Sequence, residues 1–335
     1  MGTNAMAGTV PLLSGPRRFS FAAAAPPDPA RLRAGEALVR VLAGGICGSD
    51  LPFFRGAPFP GQAVPGSAPA GFPMHEIVGE VVAVARDSPE LISVGTRVVG
   101  WATRFDGMAD YVVTDSASIA PCPGRWSAEE GVLIQPLACV LSAVERLGDI
   151  TGHRCAVLGL GPIGLLFCHV LKDRGARSVT GVDPVDRSAV ARVFGVDAFE
   201  WTTSAMWAAS REAAAAPDVV IEAVGHQVST LQHALQGVAP RGTVFYFGVN
   251  DDPVYPLDMT LMLRKHLTLM SGGTLDRVRM LTEAGAYLAR YPHLVQRSLT
   301  HRFARSEAQR AYERAASWTP GRLKIVVTIA PESTT

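Results

Sequence analysis

The stretch CAVLGLGPIG, residues 155–164, decides the fold of the second half of this chain. Its first residues are small and apolar, so residues 156–158 predict a short buried strand. The glycines that follow predict a tight turn, and the apolar run 162–172 predicts a helix directly after it. A strand, a turn and a helix in this order are half of the βαβ unit from which parallel sheets are built.

Three glycines in this turn have the spacing of a dinucleotide-binding fingerprint. Gly159 permits the tight turn, Gly161 lets a pyrophosphate approach the backbone, and Gly164 lets the helix pack closely on the strand. The helix starts at Pro162 and Ile163, and its free N–H groups and positive dipole end favour a phosphate group. The turn therefore predicts a bound dinucleotide.

An acidic residue after the next strand predicts which dinucleotide binds. Asp183 lies 19 residues after Gly164, at the end of a strand predicted over 178–182. A carboxylate there accepts hydrogen bonds from both hydroxyls of the adenosine ribose and repels a 2′-phosphate, which favours NAD over NADP. Arg187 lies nearby and would soften this preference if its side chain faced the ribose.

The two halves of the chain have different rhythms. The second half alternates short apolar runs with helical stretches such as 186–194, which predicts a doubly wound parallel sheet. Its further strands are predicted over 218–221, 242–247 and 266–270. The first third is β-rich, with strands predicted over 36–42, 77–85, 97–102 and 111–114 and a loop over 55–73. The tail predicts helices over 278–289 and 306–317 and a strand over 323–329.

A cysteine in the first third begins a set of possible metal ligands. Cys47 lies in GICGSD, residues 45–50, and is followed 28 residues later by His75 and Glu76. A thiolate, an imidazole and a carboxylate are all ligands that Zn²⁺ accepts. Ser49 stands beside them and could take a proton from a bound alcohol. A metal that activates an alcohol, in the same chain as a cofactor that accepts hydride, predicts alcohol oxidation.

Composition limits the alternatives. At 335 residues the chain exceeds the usual size of a single core, so two domains are expected. Thirty-one basic and thirty acidic residues nearly balance. The chain therefore has no excess of positive charge that would attract nucleic acid or an anionic membrane. The apolar run 155–171 is too short and too interrupted to span a bilayer. Five scattered cysteines argue against a disulfide framework and favour the cytoplasm.

These motifs together resemble the zinc-dependent medium-chain dehydrogenase/reductase family, which includes alcohol, sorbitol, threonine and glucose dehydrogenases. The matching pieces run in family order from about residue 35 to residue 330: residues 45–50, His75 with Glu76, residues 135–138, the glycine fingerprint and Asp183. The resemblance implies an α/β protein with a Rossmann NAD-binding domain over 137–272. A discontinuous GroES-like, β-rich catalytic domain would cover 1–136 and 273–335. It also implies a homodimer or homotetramer.

For the metal site, the resemblance implies one catalytic zinc. Asp50 would accept the other ring N–H of His75 and fix its tautomer. Glu76 would coordinate the metal directly or exchange with water. Gln135 stands at the next ligand position, where many relatives have cysteine or glutamate, and its carbonyl can still coordinate zinc or hold its water. Cys139 lies four residues on, too far along to fill that position without a shift in alignment.

For the cofactor, the family places the nicotinamide riboside against small residues at the ends of two strands: Ala223, Val224 and Gly225, and Gly248 and Val249. Lys324 could reach the pyrophosphate, as a basic residue does in relatives, or could be a solvated surface lysine.

Two departures from the family's pattern affect the mechanism. The four closely spaced cysteines of the family's structural zinc are missing, so no second zinc is expected. Pro52 stands where several relatives continue the proton relay with histidine, so the proton leaves through water, the ribose hydroxyls or another group.

The expected function is NAD-dependent interconversion of a secondary alcohol and its ketone, with Ser49 as the first proton acceptor. The segment 135–138, QPLA, favours a polyol, sugar or cyclitol substrate by analogy. A small aliphatic or amino-alcohol substrate is the alternative, with Phe53, Phe54 and Trp101 lining a more apolar pocket. A zinc-free enoyl or quinone reductase and a non-catalytic NAD-binding protein are the further rivals.

Overall fold

The computed structural model describes residues 9–58, 68–86, 91–212 and 214–330. The strands β1 to β15 are Thr9–Gly15, Arg18–Ala23, Glu36–Ile46, Glu76–Val84, Arg97–Trp101, Tyr111–Asp115, Ile119–Pro121, Arg154–Leu158, Ser178–Asp183, Ala198–Trp201, Val219–Glu222, Thr243–Tyr246, Thr268–Ser271, Leu299–Ala304 and Lys324–Thr328. The helices α1 to α11 are Leu51–Phe54, Ala128–Gly131, Ile134–Leu147, Pro162–Asp173, Ser188–Ala191, Ser204–Ala209, Val228–Gly237, Met259–Lys265, Arg277–Arg290, His293–Ser298 and Ala308–Ala316.

Contacts between residues divide the chain into two compact units. The first unit takes in Met1–Ala138, Asp276–Ser317 and Arg322–Thr335, and the second takes in Cys139–Leu275 and Trp318–Gly321. The domain boundaries at 136/137 and 272/273 stay a proposal, which limited proteolysis can test. Among the described residues, no helix is both long and apolar enough to cross a membrane.

The first unit is built on a sheet with the order β14-β15-β3-β4-β5-β7, to which β6 adds by pairing with β3. The long strand β3 is the centre of this sheet, because it pairs antiparallel with β15, β4 and β6. Nine of its eleven residues are buried, without the alternation of a half-exposed strand, so both faces of β3 are covered. The pairing of β3 with β4 and β15 brings together residues from three distant parts of the sequence.

The second unit is built on six parallel strands in the order β10-β9-β8-β11-β12-β13. The chain adds strands on one side of β8 and then crosses to the other side with β11. The carboxyl ends of β8, β9 and β11 therefore surround a topological switch point, where open α/β sheets bind ligands. This sheet and its helices are the predicted Rossmann-type fold, and the β-rich first unit is the predicted GroES-like fold.

Most predicted elements match the observed ones within a few residues, with one clear exception. The helix predicted over 186–194 is only the short α5, Ser188–Ala191, continued by a 3₁₀ turn over Arg192–Phe194. Asp186 accepts the Ser188 N–H through its side chain, and Arg187 has a non-helical backbone, so the helix starts late. In the predicted loop 55–73, residues 59–67 lie outside the described residues, and the remainder has no helix or strand.

Candidate metal and cofactor sites

Three predicted ligands meet at one edge of the first unit's sheet. The ligand atoms of Cys47, His75 and Glu76 all lie within 4.8 Å of one another. In the part of the chain that the structure describes, this is the one group of three or more His, Cys, Asp and Glu side chains that could hold a metal ion. Residues 28 positions apart in sequence therefore form a compact donor set of one thiol, one imidazole and one carboxylate.

Strand pairing explains how these ligands meet. Cys47 directly follows β3, Glu76 is the first residue of β4, and the register pairs Gly45 with Glu76. A Cβ atom on Gly45 would lie 2.3 Å from a Glu76 carboxylate oxygen and 2.5 Å from a methyl of Val132. Gly45 therefore has to be glycine for the carboxylate to sit beside the end of β3.

Asp50 orients the imidazole. Its Oδ1 lies 2.8 Å from His75 Nδ1, and its Oδ2 accepts the Cys47 N–H at 2.8 Å. A ring N–H held by a carboxylate leaves Nε2 of His75 available to a metal ion. Burial lowers the pKa of His75, but the charges of Asp50 and Cys47 outweigh it and raise this pKa well above its ordinary value. A thiol, an imidazole and a carboxylate this close together fit a divalent cation such as Zn²⁺.

Lys324 pairs with a residue of the metal group. Its ammonium lies 2.6 Å from Glu76 Oε1 and 3.1 Å from the carbonyl of Ile46, and the residue is 2% exposed. The reason is the antiparallel pairing of β15 with β3, which sets Ile325 opposite Ile46. Burial lowers the pKa of Lys324, but Glu76 and the other acidic groups raise it by more than burial lowers it. The ammonium therefore stays charged. The solvated surface lysine is therefore wrong, and the pyrophosphate contact stays a prediction.

Ser49 lies in a short helical turn beside Cys47, and Gln135 lies at the start of a long helix. Ser49 is half-buried in the 3₁₀ turn Gly48–Asp50 that follows Cys47, and Pro52 lies in α1 directly after that turn. Gln135 is buried in the first turn of α3. Their proposed roles, proton acceptor for Ser49 and fourth ligand for Gln135, stay predictions.

An aromatic cluster beside the imidazole was missed by sequence reasoning. The Phe105 ring centroid lies 4.9 Å from that of His75, and 5.6 Å from that of Phe53. Phe105 sits in the loop between β5 and β6 with a positive φ of 58°, a conformation that nothing in the local sequence signals. Phe53 and Phe105 are both partly exposed, so they give this side of the metal group an apolar wall.

Two other aromatic residues do not lie as predicted for a pocket. Phe54 is 1% exposed and packs on Phe19 and Tyr312, which makes it a core residue. Phe54 is the last residue of α1, and α1 packs on α11, the helix that contains Tyr312. This packing places the Phe54 ring in the core. Trp101 is partly buried under the Arg277 guanidinium, whose central carbon is 4.9 Å from the ring centroid. The expectation that Phe54 lines a pocket is therefore wrong.

In the second unit, the glycine fingerprint forms the turn between β8 and α4. Gly159 has a φ of +87°, and Gly161 is the residue that precedes α4 at Pro162. A Cβ atom on Gly164 would lie 1.7 Å from the carbonyl oxygen of Gly159. Helix and strand can pack this closely only with glycine at that position, and the first N–H groups of α4, from Ile163 onward, stay open to an anion.

Asp183 ends β9, next to this turn. Its Oδ2 accepts the Leu160 N–H at 2.6 Å and its Oδ1 accepts the Val185 N–H at 2.7 Å, so the carboxylate is fixed in place. Arg187 is buried in the same region, and one of its Nη atoms lies 3.5 Å from the carbonyl of Thr319. Burial lowers the pKa of Arg187, and the nearby charge of Asp183 opposes that shift.

The loops after β11 and β12 meet at the same edge of the sheet. The first contains Ala223, Val224 and Gly225, and the second contains Gly248 and Val249. The His226 N–H donates to the Val249 carbonyl at 2.6 Å, which ties the two loops together. Glu222, a buried carboxyl group at the end of β11, lies directly beneath them and was not predicted.

Comparisons with known proteins agree with this geometry. A family model described as an alcohol dehydrogenase GroES-like domain matches residues 33–144, and one described as a zinc-binding dehydrogenase matches residues 162–284. The chain is 30% identical to a probable zinc-binding alcohol dehydrogenase of Mycobacterium tuberculosis over 268 residues, 72% of this chain and 69% of the other. It is 25% identical to D-arabinitol dehydrogenase 1 of Uromyces fabae, over 90% of this chain and 92% of that protein.

Solved structures match the fold over nearly the whole chain. The alcohol dehydrogenase TADH from Thermus sp. ATN1 superposes with a TM-score of 0.78 at 24% identity, covering 96% of this chain and 99% of the other. Galactitol-1-phosphate dehydrogenase from Escherichia coli superposes with a TM-score of 0.77 at 19% identity, covering 96% and 100%. At these identities, the superpositions establish the arrangement of the backbone.

Proposed function

The chain belongs to the zinc-dependent medium-chain dehydrogenase/reductase family, and from this premise we propose that it interconverts a secondary alcohol and its ketone with NAD. One observation carries the proposal: Cys47, His75 and Glu76 converge within 4.8 Å in a chain that also has the glycine fingerprint and Asp183. Neither feature alone would indicate an alcohol dehydrogenase.

The roles of the residues follow from their chemistry. Cys47, His75 and Glu76 would hold one zinc ion, with Gln135 as a further oxygen ligand. Zinc bound there supplies a Lewis acid that lowers the pKa of an alcohol, and bound NAD supplies the hydride acceptor. Asp50 keeps the His75 proton on Nδ1, Ser49 accepts the proton of the alcohol, and Asp183 binds the adenosine ribose.

For the substrate class, we propose a polyhydroxylated alcohol. D-Arabinitol dehydrogenase and D-altritol 5-dehydrogenase are among the relatives, the latter 28% identical over 83% of this chain and 88% of its own length. The Phe53–Phe105 wall beside His75 supports a second candidate, a small aliphatic alcohol. A zinc-free reductase is the weaker rival, because it would have no use for the Cys47 thiol and its neighbours.

A substrate screen tests the proposal. Zinc content and NADH formation are measured for the wild type and for Cys47→Ala, with pentitols and hexitols in one series and 2-alkanols in the other. We expect zinc-dependent NADH formation with at least one polyol and none with the variant. Turnover of 2-alkanols alone would move the substrate to the aliphatic class. Full zinc occupancy without turnover of any alcohol would indicate an NAD-binding protein that is not an alcohol dehydrogenase.

We further propose that the chain forms a homodimer or homotetramer. Within the described part of the chain, β13 is the last strand of its sheet and has no partner on its outer edge, which is a template for pairing with another chain. Helix α8, just before it, carries Met259 and Leu263 four residues apart on one face, and both are mostly exposed. Light scattering should give a mass of two or four chains, and Leu263→Lys should lower it; a monomeric wild type would contradict this.

We also propose that the protein works in a reducing compartment, the cytoplasm. All five cysteines are free in the structure, and Cys47 is needed as a thiolate ligand. Oxidation of Cys47 would remove a ligand, so zinc release on treatment with mild oxidant, reversed by a thiol reductant, is the expected behaviour.

A further inference from the structure

Glu222 is a buried acidic residue that none of the roles above uses. It is the last residue of β11, and it is fully buried at the carboxyl edge of the parallel sheet. The strand β11 lies between β8 and β12 in the middle of that sheet. A carboxyl group in such a place is unusual, because Glu is almost never fully buried unless it is paired.

The hydrogen bonds of Glu222 join two loops. Its side-chain Oε1 accepts the N–H groups of Val224 and Gly225, each at 3.1 Å. Its main-chain carbonyl accepts the N–H groups of Phe247 and Gly248, at 2.9 and 3.0 Å. One residue therefore holds the loop after β11 through its side chain and the loop after β12 through its backbone.

The glycines of these loops are fitted closely to the carboxyl group. A Cβ atom on Gly248 would lie 2.2 Å from the Gly225 nitrogen and 2.5 Å from Glu222 Oε2. Gly225 has a φ of +63°, and a Cβ atom there would lie 2.5 Å from the Val249 nitrogen. The two loops thus touch directly above the carboxyl group, and neither can accept a larger residue without shifting.

Packing alone does not explain why a carboxyl group fills this position. Burial raises the pKa of Glu222, although the Thr230 hydroxyl and the N–H groups of the two loops oppose the shift. Its Oε2 has no hydrogen-bond partner among the described residues. An uncompensated buried acid lowers stability, and an apolar residue of similar size would remove that penalty. What the carboxyl group does in the structure is to accept two backbone N–H groups of the loop above it.

We propose that Glu222 is a positioning residue that holds residues 223–225 and Gly248 in the shape that receives the nicotinamide ring of NAD. This inference rests on the proposed function, with the nicotinamide end of NAD at those two loops as the family resemblance implies. Without the Oε1 acceptor, the N–H groups of Val224 and Gly225 would need new partners, and the loop would leave its present shape. The adenosine half depends on the glycine fingerprint and Asp183 instead, so the two halves of the cofactor should respond differently.

Binding of NADH and of ADP-ribose, which lacks the nicotinamide ring, tests this inference. Kd values for both are measured by calorimetry for the wild type, Glu222→Ala and Glu222→Gln. We expect Glu222→Ala to raise the Kd of NADH by about tenfold or more, because hydrogen bonds to a charged group are lost. The Kd of ADP-ribose should change less than about twofold. Glu222→Gln keeps an acceptor oxygen and should recover most of the NADH affinity.

Asp218→Asn is the matched control. Asp218 stands just before the same strand, at its opposite end, where it pairs with Arg154 and lies away from both loops. Its replacement should leave both Kd values unchanged. Equal losses of NADH and ADP-ribose affinity in Glu222→Ala, or no loss of either, would overturn the inference. A wild type that binds neither ligand would instead overturn the proposed function.

Gly248→Ala gives a second route if Glu222→Ala does not fold. The added methyl group would collide with the Gly225 nitrogen and with Glu222 Oε2, so it disturbs the same support while leaving the carboxyl group in place. The expected signature is again a loss of NADH affinity with ADP-ribose affinity retained. A variant that binds both ligands as the wild type does would overturn the inference.

Discussion

Lys324 and Glu76 form a buried ion pair that stabilises the metal-free protein. Both side chains are essentially fully buried, and their charged atoms lie 2.5 Å apart at closest. Removing one member of a buried ion pair leaves the other uncompensated, at a penalty of roughly 3–5 kcal/mol. Lys324→Met should therefore lower the free energy of unfolding of the metal-free protein by that order, as measured by urea titration.

The exposed pair Lys172–Asp197 provides the control. Its atoms are 2.8 Å apart, but both side chains are well exposed, so Lys172→Met should change stability by about 1 kcal/mol or less. The double variant Lys324→Met/Glu76→Gln should be more stable than Lys324→Met alone, because it no longer buries a lone carboxylate. If Lys324→Met were no more harmful than Lys172→Met, the buried pair would not have the importance given to it here.

Ser49 and Gln135 test the assignment of roles beside the metal. Ser49→Ala removes the hydroxyl proposed as the first proton acceptor, so kcat should fall by about 10²–10⁴-fold while zinc content stays the same. Gln135→Ala should loosen zinc more than it slows the fully metallated enzyme. Steady-state kinetics with elemental analysis separate the two effects. A nearly silent Ser49→Ala, with turnover abolished in fully metallated Gln135→Ala, would mean that a water held by Gln135 accepts the proton.

Asp183 should decide the choice of cofactor. The wild type should prefer NAD⁺ to NADP⁺, and Asp183→Asn should narrow the ratio of kcat/KM because it removes the charge that repels a 2′-phosphate. Asparagine keeps an oxygen for the Leu160 or Val185 N–H, so the loop is disturbed less than by alanine. Asp186→Asn, three residues on, is the control and should leave the ratio unchanged. A wild-type preference for NADP⁺ would show that Arg187 dominates this pocket.

At the level of elements, the loop between β5 and β6 carries a partly buried acid, Asp106, whose ionisation opposes folding. Burial raises the pKa of Asp106 to about 6, although its own backbone N–H and the charge of Arg104 oppose the shift. Because the unfolded chain ionises near pH 4, stability present at low pH is lost as the pH rises toward 6. A shift of about two units corresponds to roughly 3 kcal/mol at pH 8.

Asp106→Asn should therefore be more stable than the wild type, with a gain that shrinks between pH 8 and pH 5. Urea titrations of the metal-free protein at several pH values measure it. Asp149→Asn is the control: the Thr151 N–H lowers the pKa of Asp149, so this carboxylate is ionised throughout that range and its replacement should show no such trend. A gain that is independent of pH would contradict the assigned burial of the Asp106 charge.

Elements with a local signal could be predicted from the sequence, whereas contacts between distant elements could not. The turn around Gly159 and the start of α4 follow from glycine spacing and apolar runs within ten residues. Lys324 was misplaced because its burial depends on β15 pairing with β3, nearly 280 residues away in sequence. Glu222 reads locally as the polar end of a strand, and only the approach of the loop at Gly248 gives it a role. Phe105 was missed because its positive φ is imposed by the surrounding loop.

On the scale of the whole molecule, the two sets of functional residues belong to different compact units. The metal ligands lie in the first unit, and the fingerprint and Asp183 lie in the second. The donor set predicts one zinc per chain, and within the described residues one group of ligands could hold it. A substitution at the metal ligands should therefore impair zinc binding alone, and a substitution at the fingerprint or Asp183 should impair cofactor binding alone.

Cys47→Ala tests this independence. It removes the thiolate from the donor set, so the zinc content measured by elemental analysis should fall from about one per chain to almost none. Alcohol oxidation should cease with it. NADH affinity should change less than about twofold, because the fingerprint and Asp183 keep their contacts. Cys122 is a buried cysteine of the first unit outside the ligand group, and Cys122→Ala should keep both zinc and turnover. Two zinc ions per wild-type chain, or full activity in Cys47→Ala, would contradict the single-zinc mechanism, since the first result needs a second donor set and the second result needs none.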